Sequence, residues 1–193
     1  MPIVHFITHP EVAIDPAVPV PDWPLSERGL RRAANLLTRP WVCRVRAVFS
    51  SSERKAAQVA ALLAGALGVP PVVHDELGEN DRSATGYLAP PEFEATAEAF
   101  FARPEESIRG WERAADAQRR IVAAVDHVLA MPRSDGDVAI VSHGGVGALL
   151  LCRLKQVPIS RAEDQPGRGG GNVYSFDAAT RRLVAGWRRI EDS

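Results

Sequence analysis

Val138-Ala139-Ile140-Val141-Ser142-His143-Gly144-Gly145 is the stretch from which the rest of the chain can be read. Four apolar residues in a row, mostly β-branched, read as a strand buried on both faces, and the glycines after His143 open a helix ending near Gln156. His143 therefore sits at the carboxyl end of a strand and before a helix N-terminus, where free backbone N–H groups favour an anion. The Asp135-Gly136 turn feeds this strand.

The same arrangement recurs at the start of the chain. Residues 2–8 are apolar and β-branched and stop at Pro10, so His9 also lies at a strand end. Pro16, Pro19, Pro21 and Pro24 make the next stretch a loop. Ser26 then caps a predicted helix over 26–38, whose apolar face carries Leu30, Ala33, Ala34 and Leu37. A second strand over 45–50 runs into a serine cluster, and Ala56, Val59, Ala60, Leu62, Leu63 and Leu67 carry a helical period to Gly68. Residues 69–74 read as a third short strand. Residues 78–108 lose clear periodicity apart from a short helix near 91–102 and are expected to form an insertion or lid over the site. A long amphipathic helix over 111–129 follows, and after the glycine-rich stretch 167–171 the segments 173–176 and 183–188 read as a closing hairpin.

Alternating strands and helices predict one α/β domain over residues 1–193, a three-layer sandwich with a mainly parallel central sheet flanked by helices and a helical insertion. Ligands bind beyond the carboxyl ends of such strands, so His9, Ser51 and His143 should meet. The 193 residues are 46% hydrophobic with a net charge of -1, which gives no broad attraction to nucleic acid or to an acidic membrane. Cys43 and Cys152 are far apart and form no paired metal or disulfide spacing. The start of the chain lacks a basic leader and no apolar run reaches spanning length, so a cytoplasmic protein is expected.

Two strand-end histidines suit an anion site containing a nucleophile, because a neutral imidazole can attack phosphorus while its partner holds the charged oxygens. Ser50, Ser51, Arg54 and Lys55 would add donors and positive charge at the next helix start. Protonating the leaving alcohol needs an acid, and a carboxyl whose pKa is raised by an adjacent dianion supplies one. Glu79 is the first candidate and Glu76 the second.

At these positions the chain resembles the histidine phosphatase, or phosphoglycerate mutase-like, superfamily. Thr8-His9-Pro10-Glu11 is similar to its Arg-His-Gly-Glu signature, and Leu25-Ser26-Glu27-Arg28-Gly29 to its Leu-(Ser/Thr)-x-x-Gly segment. Ser50 to Ala60 resembles Ser-Ser-x-x-x-Arg-Ala-x-Gln-Thr-Ala, Leu77-Gly78-Glu79 the Leu-x-Glu of the proton donor, and Val141 to Gly145 the second-histidine motif. The resemblance implies a phosphoglycerate mutase-like fold and a metal-independent phosphomonoester hydrolase, rather than a mutase, needing no cofactor. By the same resemblance His9 becomes transiently phosphorylated, His143 stabilises the transferring group, and Glu79 protonates the leaving oxygen. Thr8, Ser51, Arg54, Lys55 and Gly144 are then candidates for phosphate binding, and Glu11, Arg28, Arg82 and Asn172 for substrate contacts, with Tyr87 and Arg109 behind them. The expected partner is a small phosphorylated or anionic substrate, and the chain is a monomer or a homodimer.

Threonine replaces the signature arginine at position 8, proline its glycine at 10, and lysine its second arginine at 55. Losing one charge-assisted donor that acts in a transition state costs about a hundred- to a thousandfold in rate, so the alternative is a weak or silent family member that binds an anionic ligand or a protein. The remaining histidines, His5, His74 and His127, read as structural, and the four tryptophans as packing residues. At least one of the serines 50–52 is expected to cap the helix after them, with Glu53 in its first turn.

Overall fold

The computed structural model describes residues 1–132 and 134–192. Six strands form one sheet: β1 (Ile3–Thr8), β2 (Val45–Ser50), β3 (Pro71–Val73), β4 (Asp137–Ser142), β5 (Asn172–Asp177) and β6 (Leu183–Arg189). Their order is β3-β2-β4-β1-β5-β6, with the first four parallel and β5 and β6 antiparallel at one edge. Among the described residues, five α-helices cover it: α1 (Glu27–Leu36), α2 (Arg54–Leu67), α3 (Pro90–Ala102), α4 (Ala114–Ala130) and α5 (Gly144–Lys155).

The central strands are apolar at nearly every position because both faces are covered. On β4, Val138 and Ile140 pack into a core with α3, α4 and α5, while Ala139 and Val141 join α1 and α2 on the other face. β1 divides in the same way, with Val4 and Phe6 on one side and Ile7 on the other. Truncating Ile140, which is fully buried, to alanine would cost about 2–5 kcal/mol. No helix among the described residues is long and apolar enough to cross a membrane.

Three sequence expectations need correction. The buried face of α1 is Gly29, Arg32, Ala33 and Leu36, whereas Leu30 is exposed. Two contacts rotate the helix: a Cβ at Gly29 would lie 2.1 Å from the Glu11 carbonyl oxygen, and Arg32 turns inward to Glu11, Glu191 and the carbonyls of Gly170 and Gly171. The long helix begins at Ala114, since Arg109 and Gly110 adopt positive φ and buried Trp111 donates its indole N–H to Thr85 instead. No serine caps α2: Glu53 stands at its N-cap with no side-chain cap, and Ser51 turns toward His143. The cap expected from Ser26 on α1 does form, its hydroxyl accepting the Gly29 N–H at 3.0 Å.

Candidate active site

Strand register brings the site together. Thr8 pairs with Ser142 across β1 and β4, so the next residues, His9 and His143, leave the sheet side by side with ring centroids 5.2 Å apart. Ser50 pairs with Val141, which places Ser51 against His143, and its hydroxyl lies 2.7 Å from Nε2. The glycine loop closes against the same point. Gly171 N–H donates to the His9 carbonyl at 2.9 Å, and a Cβ on Gly170, at φ 65°, would meet that carbonyl at 2.2 Å.

His9 Nδ1 lies 2.9 Å from the Pro10 carbonyl, which can only accept, so this nitrogen carries the proton and Nε2 keeps its lone pair. Burial, followed by the neighbouring His143, pushes the His9 pKa down to about 3, so the imidazole is neutral at pH 7. His143 is fully buried, with Nε2 shared between Ser51 and Glu53 Oε1, the latter at 3.2 Å. Burial lowers its pKa, against the opposing charges of Glu53 and Glu79. Its Nδ1 is buried with no partner among the described residues.

Glu53 was missed in the sequence, where a carboxylate at a helix start reads as a favourable dipole contact. It is a junction instead: its carboxylate meets His143, accepts the Glu79 N–H at 2.8 Å and pairs with Lys55. Burial opposes its charge, but His143, Lys55 and the Glu79 N–H outweigh burial and hold its pKa near 2. Lys55 is buried on Glu53 and on the Val20 carbonyl, 2.8 Å away, and does not face the cavity. Arg54 is exposed at the first turn of α2.

Beyond His9 opens a cavity of about 380 Å³. Glu79, Arg82, Gly144, Gly145 and Glu11 line it, as do Phe93, Ala97 and Phe101 from the 78–108 segment and Arg161, Asp164 and Gln165 from the loop before β5. Glu79 does not hang free. Its carboxylate accepts the Gly145 and Val146 N–H groups, each at 3.0 Å, and pairs with Arg82 at 3.1 Å. Burial would raise its pKa, but Arg82, His143 and the Gly145 N–H together leave it below the ordinary carboxylate value. The helix end expected to receive phosphate thus already holds a carboxylate. Arg82 also donates to Asn80 Oδ1 and lies over the rings of Phe93 and Trp111.

Of the other candidates, Thr8 and Asn172 are buried beside Gln165, and Glu11 lines the cavity while gripped by Arg28 and Arg32. Arg28 stays largely exposed, Arg109 faces Thr96 and Glu92, and Tyr87 packs beside Trp23. Glu76 is exposed and absent from the cavity wall, so of these two glutamates it is Glu79 that lines the cavity. Gln165, Asp164 and Arg161 carried no sequence signal, because their loop has no period and reaches the site only through the fold.

No curated protein sequence matches the chain. Its structure is similar to that of a mycobacterial glucosyl-3-phosphoglycerate phosphatase in complex with inorganic phosphate, at TM-score 0.76 and 21% identity, covering 100% of both chains. It is also similar to YhfR of Bacillus stearothermophilus, at TM-score 0.76 and 21% identity over 96% of this chain and 95% of that one. A putative alpha-ribazole-5'-P phosphatase from Escherichia coli aligns at TM-score 0.74 and 18% identity, over 96% and 95% of the two chains. The family model of the histidine phosphatase superfamily (branch 1) matches residues 9–190, from the first strand-end histidine to the last strand, and the chain therefore belongs to that superfamily.

Proposed function

We propose that the protein is a phosphohydrolase that cleaves a phosphomonoester through a phosphohistidine at His9, without a metal. The observation that carries this reading is the state of His9: a neutral imidazole with Nδ1 bound to a carbonyl and Nε2 unspent beside a cavity. In the first step Nε2 bonds to phosphorus, the ester P–O bond breaks with its electron pair going to the leaving oxygen, and that oxygen takes a proton from Glu79. In the second, water attacks phosphorus, the N–P bond breaks, and Glu79 recovers a proton from the water.

Glu79 is ionised as the site stands. An arriving phosphoryl dianion reverses the balance, because a like charge within a few ångströms raises a carboxyl pKa. The same dianion favours protonated His143, whose second proton would make the buried Nδ1 a donor while Glu53 supports the imidazolium. The apolar wall of Phe93, Ala97 and Phe101 suits the carbon part of a leaving group.

The test is hydrolysis of an aryl phosphate in the presence of chelator, with wild type, His9→Ala and Thr8→Arg compared across pH. Turnover lost in His9→Ala, with acid-labile phosphate trapped on wild type, is the expected result. A second reading rests on the cations, since Lys55 and Arg82 are both already paired with carboxylates. On that reading the protein binds an anion without turnover. It predicts an inactive wild type that gains activity in Thr8→Arg.

A further inference from the structure

The cavity poses a problem of charge. Lys55 is committed to Glu53, Arg82 to Glu79 and Asn80, and Arg161 to Glu94 and Glu98, while the first-turn N–H groups of Gly145 and Val146 are taken by Glu79. A phosphoryl group beside His9 needs donors that are not already spent, and Gln165 in the cavity wall offers one on a neutral side chain.

Gln165 Oε1 accepts the Thr8 hydroxyl at 2.7 Å and the Asn172 Nδ2–H at 3.0 Å, so both lone pairs of the amide oxygen are used. The threonine hydroxyl is itself oriented, because it accepts the Asn172 backbone N–H at 3.0 Å and gives its hydrogen to the nearer oxygen, with the Asn172 carbonyl farther off at 3.4 Å. These bonds settle which end of the amide is which. Nε2 is left over Gly144, where a Cβ would come within 2.2 Å of it, and it donates to no acceptor among the described residues. Gln165, Gly144 and His9 all line the one cavity.

The geometry points to Gln165 as a catalytic residue whose amide Nε2–H donates to a non-bridging oxygen of the transferring phosphoryl group, held there by Thr8 and Asn172 as positioning residues. It rests on the phosphohistidine reading only for the reaction, not for the contact. Threonine at position 8 then has a task, which is to aim a neutral donor. A donor fixed in advance by two hydrogen bonds gains most where charge develops, so it acts more on the transition state than on bound phosphate.

Binding of orthovanadate and of inorganic phosphate, each alone, tests this by calorimetry alongside aryl phosphate kinetics. Gln165→Glu keeps an acceptor for Thr8 and Asn172 but removes the donor, and Gln165→Met removes both and serves if the charge unsettles the loop. Either should weaken vanadate about a hundredfold and phosphate less than about tenfold, lowering kcat with little change in Tm. Thr8→Val should lower kcat by about tenfold, and Thr8→Ser should restore it. Vanadate affinity and kcat within about threefold of wild type in Gln165→Met, or equal weakening of the two anions, would overturn the assignment and leave Gln165 a clamp for the loop. If wild type binds vanadate through Gln165 yet forms no phosphohistidine, the contact stands and the proposed reaction falls. If wild type turns over but the Gln165 variants bind vanadate normally, the reaction stands and this contact falls.

Discussion

The two ends of the central strands β1 and β4 are both built from histidine and carboxylate, yet they differ in what is left unspent. At the amino end, His5 is stacked on Trp41 with ring centroids 4.0 Å apart, and places Nδ1 2.9 Å from the Ser175 hydroxyl and Nε2 3.4 Å from Asp137. Asp137 is in turn met by Arg44 and the Ile3 N–H, both at 2.9 Å. Each of these side chains has found its partners. At the carboxyl end, four residues further along the chain, His9 bonds through one nitrogen only, and Gln165 turns an amide N–H toward the cavity. Buried histidine alone therefore does not mark a site; burial pushes His5 down to about 4 and His9 to about 3. The difference is a free lone pair beside a cavity.

The strongest way to break this contrast is to remove each histidine and compare rates. His9→Ala should lower kcat by at least about a thousandfold and abolish trapped phosphate, whereas His5→Phe should stay within about threefold, as rapid-quench and steady-state assays would show. A large rate loss from His5→Phe would mean that the two ends are coupled. Glu79→Gln should follow, with a loss of about a hundredfold for alkyl phosphates and much less for an aryl phosphate whose leaving group needs no proton. Equal losses on both substrates would assign Glu79 to positioning α5 instead.

Next in size is a pH effect on stability. His5 is neutral and buried in the fold with its pKa near 4, against an ordinary value of 6.5, so the unfolded chain takes up a proton first as pH falls. Its contribution is full above pH 6.5 and fades down to about 4, a loss of about 3 kcal/mol that His5→Phe should remove from a pH series of urea melts. Glu53 adds to the same trend at lower pH. Its depressed pKa stabilises the fold above about 4.5 and that contribution fades toward 2, which Glu53→Gln should abolish. Smallest of all, Arg54→Ala should change kcat less than twofold and stability by no more than about 0.5 kcal/mol, because the side chain is exposed. A larger effect would return Arg54 to the site.

The parallel core and both histidine-bearing strand ends were legible because their signals are local and periodic. A run such as Val138–Val141 has few alternatives to a doubly covered strand, and a histidine after each of two such runs is carried to one edge by topology alone. Glu79 could be named from its Leu-x-Glu context, although its grip on the α5 N-terminus could not. The face of α1 was misjudged because apolar periodicity assumes that charge points outward, and Arg32 is buried by partners at positions 11 and 191.

What the sequence by itself determined is the central strands, the order of the motifs and the two strand-end histidines from which the nucleophile is proposed, all written in neighbouring residues. What only the tertiary structure decided is which charges are free. Lys55 reads as a phosphate ligand until Glu53 and the Val20 carbonyl claim it, and Gln165 reads as nothing until Thr8, 157 positions away, turns its amide. Hydrogen-bond capacity is spent pairwise between atoms brought together by the fold, so no single stretch of chain records what remains.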